Sequence, residues 1–149
     1  MLAFDPGEQR IGVAVGETVT GTARALVTLR ARSGQPNWDE VARLLDRWQP
    51  EALVVGVPRH DDGTASASTA RAEQLARRLH GRFGLPVRTV DERLSSHEAR
   101  QRLSRSEARR DPGAVDREAA AIILESYFLE TAPSETGGTG GGTETRTDG

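Results

Sequence analysis

The feature that most constrains this chain is a change of rhythm after about residue 30, where strand-like runs give way to helices alternating with strands. Residues 1–5 and 10–16 are apolar and β-prone, and Pro6-Gly7-Glu8-Gln9 between them is a turn of hairpin length. Residues 23–30 supply a third strand. From Asn37 to Trp48, the side chains of Trp38, Val41, Leu44, Leu45 and Trp48 share one helical face, and Asp39, Glu40, Arg43, Asp46 and Arg47 share the other. Asn37 with Glu40 reads as a capping box, and Pro50 follows the helix end. ALVVGV at 52–57 is apolar throughout, as expected of a strand covered on both faces. A second helix over about 68–83 stops at Gly84, and a strand from Val87 to Glu92 follows. Ser95 and Glu98 offer a cap for a short helix to about Leu103, the polar stretch 104–113 reads as a mobile connection, and 115–130 forms a last helix. An antiparallel meander feeding β-α-β crossovers predicts an α/β fold, with a mixed five-stranded sheet flanked by helices on both faces.

A chain of 149 residues supplies one packed domain, expected here over 1–130. The Gly- and Thr-rich stretch 131–149 is too poor in apolar groups to offset its ordering entropy and is expected to be a disordered tail. With no cysteine, disulfides and thiolate metal sites are excluded. MLAFDPGEQR lacks the basic lead-in and apolar run of a secretion signal, and no run approaches a membrane span, so a soluble, cytoplasmic protein is expected. Every one of the 20 basic residues is Arg, and residues 71–117 hold 12 Arg against 7 acids, a basic flank on a nearly neutral whole.

Three acids are placed where core packing does not explain them. Asp5 ends the first strand before a Pro-Gly turn, where a last side chain faces a cleft at the sheet end; taken alone, it is also a routine turn former. Asp91 and Glu92 close the fifth strand, and because adjacent strand residues point to opposite faces only one can join Asp5; Glu92 is the choice. Asp116 shares a helical stripe with Ala119, Ala120, Ile123 and Tyr127, which must face the sheet, while Arg117, Glu118 and Glu125 are expected to point away. Carboxylates converging in this way repel unless a cation lies between them, and Mg²⁺ or Mn²⁺ suits such hard oxygen donors. Ions of this kind activate water and stabilise a departing oxyanion, so phosphodiester hydrolysis is the natural chemistry.

Four blocks, FDPGEQRIGVAV at 4–15, VVGVPRHDDG at 54–63, DERLSS at 91–96 and VDREAAAIIL at 115–124, together resemble the YqgF/RuvX family, relatives of the junction resolvase RuvC. The resemblance spans 1–130 and implies a ribonuclease-H-like fold and a divalent-metal nuclease centre built from Asp5, Glu92 and Asp116. It also implies a role in trimming the 5′ end of 16S ribosomal RNA precursor, with Holliday-junction resolution as the alternative. Gln9 stands where the family usually has Lys, and the fourth acid of RuvC-like sites has no counterpart on the face of Asp116.

The expected partner is nucleic acid, either an RNA precursor or branched DNA, bound by a monomer or homodimer. Arg10 and Arg93 adjoin the acids and are candidate phosphate contacts, as are Arg71 and Arg78 along the second helix, although an ordinary solvated helix face is the favoured account of the last two. Few aromatics are free to stack bases, which favours recognition of backbone and shape. His60-Asp61-Asp62-Gly63 reads foremost as a turn. Gly12, Gly16 and Gly56 lie inside strands, where a missing side chain permits close backbone approach. Two other readings compete: an actin-like ATPase, which needs a second lobe this chain lacks, and a nucleic-acid binder that does not cut.

Overall fold

The computed structural model describes residues 1–59, 65–92, 99, 101–103 and 105–131. The strands are β1 (Leu2–Asp5), β2 (Arg10–Glu17), β3 (Thr22–Arg32), β4 (Gln35–Pro36), β5 (Leu53–Pro58) and β6 (Val87–Glu92). The helices are α1 (Trp38–Trp48), α2 (Ala67–Phe83), α3 (Arg105–Arg110) and α4 (Gly113–Thr131). They build one sheet of order β4-β3-β2-β1-β5-β6, antiparallel from β4 to β1 and parallel from β1 through β5 to β6. This is the expected ribonuclease-H-like arrangement, extended by one two-residue strand. β4 had no periodicity to announce it; it forms because Ser33 and Gly34, both at positive φ, turn the chain back onto β3.

Strand alternation divides the core. Leu2, Phe4, Ile11, Val13 and Val15 face Val41 and Leu45 of α1 and Ala72, Leu75 and Leu79 of α2. Ala3, Val54 and Val90 face Ile123, Leu124 and Phe128 of α4 on the other side. Helices therefore cover both faces, and β1 and β5, buried on each side, carry the unbroken apolar runs seen in the sequence.

Several local details differ from expectation. The Asn37 side chain accepts from Asp39 N at 2.9 Å, so α1 has a simple N-cap and Glu40 closes no box. The reciprocal box belongs to α2, where Ser66 and Thr69 cap each other. The stretch 104–113 is not merely a connection, because α3 forms within it. Its polar, Arg-rich composition gave no apolar stripe for a periodicity argument to find. Ser95 and Glu98 lie outside the described residues, as do His60 to Gly63 and 132–149.

Candidate active site

β1 delivers Asp5 to the sheet end on the α4 side, because Ala3, two residues earlier, packs into the α4 layer. Asp5 pairs in register with Gly12 of β2. A Cβ on Gly12 would stand 1.9 Å from the carbonyl oxygen of Asp116, so only glycine lets the first turn of α4 rest directly on the strand. That contact sets Asp116 beside Asp5, although 111 positions separate the two in sequence. Thr28 of β3 fixes the same end of α4, donating to Gly113 O at 2.8 Å and accepting from Arg117 Nη1 at 3.0 Å. Arg117 also grips Asp111 at 2.5 Å, so it braces the helix start rather than pointing away from the fold. That pairing holds the Asp111 carboxyl below its ordinary range.

β6 supplies the third acid by the same alternation. Val90 lies in the α4 layer, so Glu92 shares its side, whereas Asp91 faces the other layer and meets Arg59 at 3.1 Å. Both neighbouring acids reach Asp5 electrically. Its pKa is pushed up to about 8, first by burial, then by the charge of Asp116 and then by that of Glu92. Asp116 itself accepts from Arg10 Nε at 2.8 Å.

The three acids are thus neighbours that do not form a finished cage: among the described residues, no three His, Cys, Asp or Glu side chains are drawn together around one point. Their chemistry nevertheless fits a hard divalent ion. All three offer carboxylate oxygens, and a cation would relieve the repulsion that keeps Asp5 protonated.

The candidate arginines are divided. Arg10 touches the site, and Arg93 lies outside the described residues. Arg71 and Arg78 belong to α2, in the opposite layer: the Arg71 stem covers Gly34, and Arg78 Nη1 donates to Gln35 Oε1 at 2.5 Å. Both fasten α2 to the β3–β4 turn, and the structure does not bring them to the acids. Glu118 and Glu125, expected to point away from the sheet, are tied to Arg102 at 3.1 and 3.0 Å. Gly12 was legible as a close-approach position, but Thr28 and Arg117 carried no signal, since a strand threonine and a helix arginine are unremarkable singly.

Residues 1–130 match the family model described as RuvX, Holliday junction resolvase. The chain belongs to the RuvX family. Relatives from Yersinia enterocolitica (serotype O:8 / biotype 1B) and Yersinia pestis (strain Pestoides F) are each 52% identical over 134 residues, covering 89% of this chain and 96% of theirs. Both carry the name "Putative pre-16S rRNA nuclease". Among solved structures, Thermus thermophilus RuvC in complex with a Holliday junction substrate aligns with a TM-score of 0.46 at 20% identity, over 87% of this chain and 94% of that one. The Fowlpox virus resolvase in complex with substrate junction DNA aligns with a TM-score of 0.49 at 11% identity, over 89% and 100%. A nuclease is the class that the family and these relatives share.

Proposed function

We propose that this RuvX family member hydrolyses nucleic-acid phosphodiesters with Mg²⁺ or Mn²⁺ held by Asp5, Glu92 and Asp116, and that it processes the 5′ end of the 16S ribosomal RNA precursor in the cytoplasm. The observation that carries this is the half-buried carboxyl of Asp5 at the end of β1, pushed toward neutrality first by burial and then by two further acids on the same side of the sheet. Folding alone gains nothing from such an arrangement, because burial and like charge both oppose ionisation. A bound divalent ion offsets both and supplies water activation and charge for the departing oxygen.

The chain's own groups do the rest. Asp5 gives up its proton as the site loads, which makes loading pH-dependent. Arg10, half-exposed at the rim, pairs with Asp116 and lies where its guanidinium can also take a substrate phosphate. Arg93, next to Glu92 in the chain, is a second phosphate contact. The choice of ribosomal precursor RNA follows the names of the relatives, while cleavage of branched DNA follows the family description. Digesting precursor RNA, an unrelated RNA and a four-way DNA junction side by side, with Mg²⁺, Mn²⁺ or chelator, separates these substrates. Metal-dependent, site-limited cleavage of the precursor is expected, and it is lost in Asp5→Asn while RNA binding persists. Cleavage that survives in Asp5→Asn would overturn the assignment.

A further inference from the structure

Beyond the acids, a second charged feature lies on the same side of the sheet. Arg10 of β2 stands directly opposite Arg30 of β3 in the antiparallel register. Leu29 packs into the α1/α2 core and Thr28 bonds to α4, so Thr28, Arg30 and Arg32 share the α4 side of β3 with Arg10. Arg30 and Arg32 are exposed, and neither has an ionic or hydrogen-bonding partner among the described residues. Like charges placed opposite each other on a sheet are destabilising, and among the described residues the only acid paired with either is Asp116, on Arg10. The surface is also concave. Two adjoining depressions of ≈ 380 and ≈ 420 Å³ share Arg30 and Ala31, the first reaching Gln9 and Arg10 and the second Arg32 and Gln35.

We propose that Arg10, Arg30 and Arg32 form a ladder that holds successive phosphates of one RNA strand and leads it to the acidic site, with Arg30 and Arg32 as dedicated backbone contacts. Arg30 and Arg32, alternate residues of β3, repeat at ~6.6 Å, which lets each guanidinium take its own phosphate, and Arg10 across from Arg30 carries the row over to β2 and the acids. An RNA strand along this groove supplies the negative charge that the fold withholds. The contacts read no base, which agrees with the scarcity of exposed aromatics. This inference rests on the nuclease reading and extends it by naming the path of the strand.

The test is binding of a fluorescent single-stranded RNA, in chelator so that nothing is cut, across a range of salt concentrations. Arg30→Ala/Arg32→Ala is expected to bind about 10-fold more weakly than wild type at moderate salt and to lower the slope of log affinity against log salt by about 1.4, near 0.7 per lost phosphate contact. Arg32→Gln alone is expected to lower it by about 0.7. A charge-matched control, Arg43→Ala/Arg77→Ala, removes exposed arginines of α1 and α2 from the other layer and should bind as wild type does. Thermal unfolding of the ladder variant should be unchanged or raised, since a cross-strand repulsion has gone. Wild-type affinity in the ladder variant, or an equal loss in the control, overturns the ladder alone. No RNA binding by wild type, together with no cleavage once Mg²⁺ or Mn²⁺ replaces the chelator, overturns the nuclease reading beneath it.

Discussion

Helix α4 carries two sets of acids, and they are treated in opposite ways. Glu118 and Glu125, on the side toward residue 102, share the guanidinium of Arg102, which is held in its charged form by both. Asp116, on the side toward the sheet, pairs with Arg10 but also stands within electrostatic reach of Asp5, whose pKa is raised by burial first, then by Asp116 and then by Glu92. The first set is what folding produces when only stability matters, namely opposite charges in contact at a partly exposed surface. The second gathers acids whose charges oppose one another, and it lies where β1 and β6 end and α4 begins. Residues that oppose stability while occupying well-defined positions point to chemistry outside the fold.

Breaking the second set should therefore hurt function, and breaking the first should not. The largest effect is expected in Asp5→Asn, with metal-dependent cleavage falling about 1,000-fold, some 4 kcal/mol of transition-state stabilisation. Glu118→Gln, assayed in parallel, should keep its rate. Next comes Gly12→Ala. Its new methyl meets the Asp116 carbonyl, so α4 must shift off β2 at a cost of about 3 kcal/mol in chemical denaturation, with cleavage lost as the acids separate.

The third effect has the opposite sign. The folded pKa of Asp5 lies near 8 and the ordinary value is 3.8, so its stabilising contribution is complete below about pH 4 and is lost as pH climbs toward 8. Asn at position 5 never ionises. In metal-free buffer Asp5→Asn should be more stable than wild type by about 2 kcal/mol at pH 7.5, a figure discounted for partial exposure, and equal to it near pH 4. Denaturant midpoints at the two pH values check both the sign and the window. The smallest effect is expected in Arg102→Ala: the residue is 42% exposed, so losing both pairs should cost about 0.5 kcal/mol and leave cleavage unchanged.

The same contrast explains what could be read from the chain. Asp5 and Asp116 stood out because each breaks an apolar pattern, one at a strand end and one on an inward helical stripe, and period alone locates such positions. Strand alternation said only that one of Asp91 and Glu92 could join Asp5; Val90, packed in the α4 layer, puts Glu92 on that side. Arg117 was misread because a helical wheel shows which way a side chain leaves its own helix and not which strand lies alongside. Thr28, 89 positions away in sequence, gives it a partner. Helix α3 escaped notice because it is polar all round, and Arg71 and Arg78 looked like a phosphate row until the β3–β4 turn appeared beneath them. Local periodicity reports burial well, but it is silent on contacts between polar groups brought together only by tertiary folding.

The proposed sharing of an ion by these acids is tested most directly by following the Asp5 side-chain carboxyl carbon by NMR as pH is varied, first in chelator and then with saturating Mg²⁺. A titration near pH 8 without metal, falling below pH 5 with it, is the predicted result. A carboxyl that titrates near 4 in chelator, or one that ignores Mg²⁺, would contradict the account.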